Sequence, residues 1–244
     1  MPNRAGQILR GIITLPDTDG AVPFVLNLHG FMGTAGGYKY AHVHMARTLA
    51  ANGIGCARFD FYGCGESDGE FSDLSFDGLY HDSEDLYRWL SAQSYADSGK
   101  IFLSGQSMGG YIAASMAPVL NPCGLILMCP GAGMWYGCAQ RADAVTQTGK
   151  DYADLEGLVY KMAFNYEMAA HPEPYEEAKG YAGPALILRA EDDKLVDTPS
   201  CERYRSLYTD AKLIETPAGG HNFASIPARE CCEEAILTFI REHL

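Results

Sequence analysis

Two hydrophobic patterns alternate along this chain. Short runs of apolar and β-branched residues bounded by turn residues predict buried strands, whereas longer stretches with apolar residues every three or four positions predict amphipathic helices. The predicted strands are 22–28, 55–61, 101–104, 125–128, 185–189 and 212–216. The predicted helices are 41–51, 76–90, 107–119 and 227–244. Because strands that alternate with helices form parallel βαβ units, we predict an α/β fold with a mostly parallel central sheet flanked by helices.

Two segments depart from this alternation. Residues 8–14, followed by a Pro-Asp-Thr-Asp-Gly turn, predict an antiparallel strand at the edge of the sheet. Residues 131–183 have a helical, aromatic pattern in which no strand is predicted. An insertion between two parallel strands is a candidate lid over their carboxyl ends, and a structural appendage with an aromatic core is the alternative. We therefore predict one domain over residues 1–244, with an inserted lid subdomain at 131–183.

The chain is acidic, and its charge narrows the classes of partner. Its 18 Lys and Arg against 31 Asp and Glu give a net charge of −13, while 47% of the 244 residues are hydrophobic. That apolar fraction excludes a disordered chain and suits one domain of this length. Acidic surfaces repel nucleic acids and anionic lipids, and no stretch approaches the roughly 18 apolar residues of a membrane span. We therefore expect no nucleic acid or membrane as partner, and the absence of an apolar signal core at the first residues predicts a cytoplasmic protein.

The eight cysteines form no Cys-x-x-Cys pair and have no histidine at zinc-ligand spacing. Several lie inside apolar runs. We expect them to be small buried hydrophobic residues with reduced thiols, and we expect no metal site.

The sequence Gly-Gln-Ser-Met-Gly at 105–109 lies between a predicted strand and a predicted helix. This is the context of a nucleophile elbow, a sharp turn in which glycines on both sides of the serine let strand and helix approach closely. The serine hydroxyl then lies at a helix N-terminus, where the dipole favours developing negative charge. Ser107 is therefore the predicted nucleophile.

A nucleophilic serine needs a base, and the chain order Ser, acid, His places that base after Ser107. Three histidines follow it: His171, His221 and His243. The first precedes every plausible acid and the last is the penultimate residue. His221, in a glycine-rich loop after the last predicted strand, is therefore the predicted base.

The acid is expected after a strand between the serine and the histidine. The sequence Glu-Asp-Asp-Lys-Leu-Val-Asp at 191–197 follows such a strand. Asp193 is the predicted acid because the apolar residues 195–196 would bury it. Asp192 and Asp197 are the alternatives, and we expect them to be solvated or to cap the following helix.

A tetrahedral oxyanion needs two donors. The backbone N–H of Met108, directly after the nucleophile, is one, and the N–H of Phe31, in the turn His-Gly-Phe-Met-Gly at 29–33, is the predicted second. We expect His29 to bond nearby backbone in this turn rather than to transfer protons.

These motifs, together with Arg-Phe-Asp-Phe-Tyr-Gly-Cys-Gly-Glu-Ser-Asp-Gly at 58–69, resemble those of the α/β-hydrolase superfamily and, more narrowly, of the bacterial feruloyl (cinnamoyl) esterases. The resemblance implies a serine esterase that releases hydroxycinnamic acids from small-molecule esters without a cofactor. It also implies that 131–183 shapes an aromatic acyl pocket in which Tyr160 matches a lid tyrosine of the family. Trp135 and Gln147 are the other residues expected to contact substrate. Relatives carry an acidic lid residue where this chain has Gly-Cys at 137–138.

Three alternatives remain open at this stage. The same triad would serve a short-chain carboxylesterase or a monoacylglycerol-type lipase, and peptidase activity is possible on fold grounds. A non-catalytic ligand-binding protein on the same fold is the alternative outside enzymes. Exposed apolar lid or edge surface would allow a homodimer.

Overall fold

The computed structural model describes all residues 1–244, which form nine strands and eight α-helices. The strands are β1 Gly11–Thr14, β2 Val22–Leu28, β3 Gly55–Phe59, β4 Ala96–Gln106, β5 Gly124–Met128, β6 Tyr152–Leu155, β7 Leu158–Lys161, β8 Ala185–Ala190 and β9 Ala211–Thr216. The helices are α1 Ala41–Ala50, α2 Phe76–Ser91, α3 Met108–Leu120, α4 Cys138–Thr146, α5 Ala163–Ala170, α6 Pro174–Glu177, α7 Thr198–Leu207 and α8 Ile226–Glu242. No helix is both long enough and apolar enough to cross a bilayer.

Seven strands form the central sheet in the order β1-β3-β2-β4-β5-β8-β9. All neighbouring pairs are parallel except β1 and β3, which pair antiparallel at the edge. The predicted α/β fold and the antiparallel edge strand are therefore confirmed. Strand β4 is longer than predicted because its polar first half continues to Ala96, which pairs with Val22 across a register shift.

The strands in the middle of the sheet are buried on both faces. Every residue of β5 and of β8 is buried. Helices α1 and α8 contact each other, and α3 contacts α2. Helix pairs that cover a sheet in this way explain why the central strands are continuous apolar runs rather than alternating ones. One cluster of 59 buried residues forms the core.

Residues 131–183, the lid segment, lie between β5 and β8 and contain α4, α5, α6 and the antiparallel pair β6–β7. The expectation that this segment has no strand is wrong. The hairpin turns at Glu156 and Gly157, which both have positive φ, as a two-residue hairpin turn requires. Its strands are four residues long and largely exposed, so they lack the apolar run that identified the other strands.

All eight cysteines are free, and six of them are buried. The expectation of buried, unpaired thiols is confirmed for Cys56, Cys64, Cys129, Cys138, Cys201 and Cys232, while Cys123 and Cys231 are half-buried.

Candidate active site

The turn between β4 and α3 carries Ser107. Its backbone has φ 55° and ψ −119°, a conformation that residues other than glycine rarely adopt. A Cβ at Gly105 would lie 2.1 Å from the carbonyl oxygen of Gly109, and a Cβ at Gly109 would lie 2.3 Å from that of Leu28. Strand and helix therefore pack too closely for a side chain at either position. This close packing holds the serine at the start of α3.

Ser107, His221 and Asp193 form a continuous hydrogen-bonded chain. The distance from Ser107 Oγ to His221 Nε2 is 2.8 Å, and that from His221 Nδ1 to Asp193 Oδ2 is 2.9 Å. The second carboxylate oxygen of Asp193 accepts from the backbone N–H groups of Leu195 (2.8 Å) and Val196 (3.1 Å). With Nδ1–H donating to the carboxylate, Nε2 is free to accept the serine proton.

The two other candidate acids have different roles. Asp197 accepts from the backbone N–H of Ser200 and caps the N-terminus of α7, as expected. Asp192 is not merely solvated, because its Oδ1 accepts from the backbone N–H groups of Gly219 (2.8 Å) and Gly220 (2.7 Å). These two hydrogen bonds lower the pKa of Asp192 and tie the histidine loop to the end of β8.

Two further side chains hold the backbone of His221. Its carbonyl oxygen accepts from Gln106 Nε2 (3.2 Å) and from Cys129 Sγ (3.1 Å). Gln106 also bonds Asn222 and, through Oε1, the Nε2 of His42 on α1 (2.8 Å). Burial raises the pKa of the Cys129 thiol and lowers that of His42 to about 4, so the thiol keeps its proton and the imidazole stays neutral. Sequence reasoning missed these residues. Only the position of Gln106 inside the elbow motif could have singled it out.

His29 lies in the turn after β2 and is buried. Its Nδ1 bonds the carbonyl oxygen of Gly30 (2.8 Å), and its Nε2 accepts from the N–H of Phe61 (3.1 Å). Burial lowers its pKa. Both ring nitrogens therefore bond to backbone groups, which confirms the expectation that this histidine bonds nearby backbone.

The predicted oxyanion donors, the N–H groups of Phe31 and Met108, belong to segments that flank the serine. Met108 begins α3. In the turn that contains Phe31, a Cβ at Gly30 would lie 3.2 Å from the Cβ of Ser107. A Cβ at Gly131 would lie 3.2 Å from the Met108 nitrogen, so the glycine leaves that amide open. The turn that contains Phe31 thus approaches the carbon that carries the Ser107 hydroxyl, and Met108 follows that serine directly in the chain.

A pocket of about 790 Å³ opens beside Ser107. An aromatic cluster walls it: the Phe31 ring lies 5.5 Å from that of Tyr160, in an edge-on arrangement, and 5.5 Å from that of Phe164. Asn165, on the same lid helix as Phe164, also lines the pocket. It is 4% exposed, and its Nδ2 has no hydrogen-bond partner. The pocket is therefore mostly apolar, with a buried amide that a bound ligand could satisfy.

Comparison with known proteins agrees with this arrangement. Residues 21–153 match the family described as serine aminopeptidase, S33. The chain belongs to this family of α/β-hydrolases. It is 24% identical over 225 residues to an uncharacterised protein of Mycobacterium tuberculosis, and the aligned region covers 91% of this chain and 71% of that protein. It is 26% identical over 213 residues to the lysophosphatidylserine lipase ABHD12 of Danio rerio, covering 84% of this chain and 51% of that lipase.

Solved structures with the same fold include two with bound ligands. Est1E from Butyrivibrio proteoclasticus, bound to ferulic acid, superposes on this hydrolase with a TM-score of 0.88 at 22% identity, covering 99% of this chain and 98% of that one. DcsB in complex with a substrate analogue superposes with a TM-score of 0.81 at 20% identity, covering 99% and 97%. At these identities the likeness extends to the fold alone.

Of the three residues expected to contact substrate in this hydrolase, only Tyr160 lines the pocket. Trp135 does not, because its indole N–H donates to the carbonyl oxygen of His171 (3.1 Å) and the ring packs within the lid segment. Gln147 is exposed beyond the C-terminus of α4, where its backbone N–H bonds Asp143. The structure therefore places neither residue in the wall of the pocket. Phe164 and Asn165, which are buried on α5, line the wall together with Tyr160.

One group of side chains has the donor types and spacing of a metal site. The ligand atoms of Cys129, Asp193 and His221 lie within 4.8 Å of one another. They are already engaged in the hydrogen bonds described above, and the thiol is held protonated by burial. A metal ion there would have to displace the bond between His221 and Asp193, so this donor set suits proton transfer better than metal binding.

Proposed function

We propose that this protein is a serine carboxylic-ester hydrolase that works through an acyl-enzyme. The observation that carries the proposal is the pair of short distances that link Ser107 to His221 and His221 to Asp193. A serine hydroxyl is a weak nucleophile, and a neutral imidazole at hydrogen-bond distance can accept its proton as the new bond to carbon forms.

The roles follow from that geometry. Ser107 Oγ attacks the ester carbonyl carbon while His221 takes the hydroxyl proton, and the negative charge that develops on the carbonyl oxygen is stabilised by the N–H groups of Phe31 and Met108. Collapse of the tetrahedral intermediate breaks the bond to the alcohol, which leaves with the proton from His221. Water then attacks the acyl-enzyme by the same steps. Asp193 keeps the imidazole in the required tautomer and stabilises the imidazolium.

Ester rather than peptide hydrolysis is proposed because of the charge of the pocket. An aminopeptidase must bind the α-ammonium group of its substrate, for which a carboxylate is the natural partner. No Asp or Glu is among the 24 residues that line the pocket. Esters carry no such cation and need none.

For the acyl group we propose an aromatic acid of the hydroxycinnamate type. The cluster of Phe31, Tyr160 and Phe164 suits stacking with a flat ring, and the free amide of Asn165 suits a hydrogen bond to a ring substituent. The fold of Est1E, which binds ferulic acid, adds support.

A second candidate is an acylglycerol or lysophospholipid lipase. The mouth of the pocket carries Leu195, which is 75% exposed, and Tyr38, which is 47% exposed. Apolar side chains at a rim favour a substrate that arrives from a lipid aggregate. The likeness to the lysophosphatidylserine lipase ABHD12 supports the same candidate.

The decisive test is Ser107→Ala assayed on p-nitrophenyl acetate and methyl ferulate. We expect kcat to fall by at least about 10⁴-fold, because the nucleophile is lost. Turnover near that of the wild type would contradict the proposal. In the wild type, a higher kcat/KM on methyl ferulate than on p-nitrophenyl octanoate or monooleoylglycerol selects the aromatic acyl group, and the reverse order selects the lipase. Cleavage of an aminoacyl p-nitroanilide at a comparable rate would favour a peptidase.

A further inference from the structure

The charge of the pocket differs from that of the rest of the molecule. The chain has 31 acidic residues, yet none of the 24 residues lining the pocket is Asp or Glu, and Arg141 is the one Lys or Arg among them. Besides His221, the lining histidines are His29 and His42, which are buried with lowered pKa values and are therefore neutral. Arg141 therefore gives the lid side of the pocket a positive charge.

Arg141 has no acidic partner. It lies on α4, and its guanidinium donates to the main-chain carbonyl oxygens of Tyr136 (2.7 Å) and Met134. No carboxylate lies within ion-pair distance of it. The acid two residues further along, Asp143, instead accepts from the hydroxyl of Tyr166 (2.8 Å). The guanidinium is therefore oriented by neutral groups, and no carboxylate compensates its positive charge.

An arginine has five N–H donors in a planar fork, and two carbonyl oxygens do not use them all. The remaining donors suit a planar carboxylate or a phosphate. The net charge of −13 produces a long-range field that repels anions. At the pocket this field is opposed by a cation without a carboxylate partner and by a lining that contains no acid. A neutral ester has no anionic group with which this cation could pair.

We propose that the ester hydrolysed at Ser107 carries an anionic group, a carboxylate or a phosphate, that Arg141 binds. The inference rests on the proposed ester hydrolysis and specifies its substrate class. Arg141 is a specificity residue rather than a catalytic one, so it acts on KM and contributes little to kcat.

The test uses matched pairs of esters that differ only in the anion. Mono-p-nitrophenyl glutarate and p-nitrophenyl pentanoate place or omit a carboxylate on the acyl side, and chlorogenate and its methyl ester do so on the alcohol side. A 1-acylglycerol 3-phosphate and the corresponding monoacylglycerol test a phosphate. We expect the wild type to prefer the anionic member of at least one pair by about tenfold in kcat/KM, and 0.5 M NaCl to reduce that preference.

Arg141→Gln should raise KM for the preferred anionic ester by about tenfold more than it raises KM for the neutral partner. Arg141→Lys keeps the charge but not the planar set of donors, so its KM for the anionic ester should lie between those of the wild type and Arg141→Gln. Arg205→Gln, on the exposed face of α7, is the matched control and should change nothing. A wild type without preference, or a variant that loses activity equally on both members, would overturn the inference while leaving ester hydrolysis intact.

If no ester is turned over in a Ser107-dependent way, the proposed function fails instead. Calorimetric titration of the wild type and of Arg141→Gln with glutarate, chlorogenate and glycerol 3-phosphate then decides the anion site separately. Binding of one anion that the variant weakens about tenfold supports the site, and equal or absent binding of all three refutes it.

Discussion

The elbow region, residues 96–128, and the lid segment, residues 131–183, contrast in how they are built. In the elbow region, β5 is wholly buried, and ten residues of α3 are buried as well. In the lid segment the strands β6 and β7 contain no buried residue. A nucleophile must be held within a fraction of an ångström, and burial of the strand and helix on either side of a turn is one way to hold it. The difference teaches that core packing fixes the turn at Ser107, whereas the β6–β7 hairpin of the lid segment lies on the surface with no buried residue.

Polar contacts add to the apolar packing that joins the lid segment to the rest of the molecule, in which the ring of Phe164 contacts those of Phe31 and Phe76. Glu167 on α5 accepts from the hydroxyl of Ser75 and the N–H of Phe76 at the start of α2, both at 2.7 Å. His171 lies between Asp77 (2.8 Å) and Glu177 (3.0 Å). Such contacts depend on charge and pH, unlike the apolar packing around the elbow.

The largest effect is expected for Asp193→Asn. The amide can keep accepting from Leu195 and Val196, but its NH₂ group would face Nδ1 of His221 and impose the wrong tautomer. We expect kcat to fall by about 10⁴-fold with little loss of stability. Steady-state kinetics on p-nitrophenyl acetate measure this. Asp197→Asn keeps the cap of α7 and should retain full activity. Equal losses in both variants would contradict the separate roles of the two acids.

An intermediate effect is expected from paired leucine truncations. Leu127 in β5 is fully buried, so Leu127→Ala should lower the free energy of unfolding by about 2–5 kcal/mol. Leu158 in β7 is 38% exposed, and Leu158→Ala should cost less than about 1 kcal/mol. Urea denaturation measures both changes. Similar losses would show that the lid segment is packed as firmly as the sheet, and the contrast drawn above would fail.

The smallest effect is expected at His171. Hydrogen bonds to Glu177 and Asp77 raise its pKa, so the folded state binds the proton more tightly than the unfolded chain does. The resulting stabilisation is fully present below the ordinary histidine pKa of about 6.5 and is lost as the pH rises through the folded-state value. His171→Gln should therefore cost about 1 kcal/mol at pH 5.5 and clearly less at pH 8.5. Thermal unfolding at both pH values tests this, with the exposed His81→Gln as control. If His171→Gln destabilises the protein equally at pH 5.5 and pH 8.5, the stabilisation does not depend on the charge of His171 and the prediction is wrong.

Much of the site could be predicted because local sequence encodes it. The elbow is recognisable from glycines that have no room for a Cβ. Chain order singles out His221, and the apolar residues 195–196 favour Asp193 over the neighbouring acids. The two side chains lie within hydrogen-bond distance in the fold. Which residues of the lid segment line the pocket could not be predicted in the same way. The resemblance places Trp135 and Gln147 at the substrate. In the structure the Trp135 indole bonds the carbonyl oxygen of His171, Gln147 is exposed, and it is Asn165 of α5 that lines the pocket.

The sequence by itself therefore determined the α/β class, the sheet strands and the three side chains singled out for catalysis, because periodicity and tight turns are local properties. Tertiary structure decided the rest. It brings Ser107 within 2.8 Å of a residue 114 positions away and joins Gln106 and Cys129 to the histidine loop. It also places Arg141 at a pocket whose lining contains no Asp or Glu. Contacts of this kind depend on how distant segments pack, and no local pattern of residues records them.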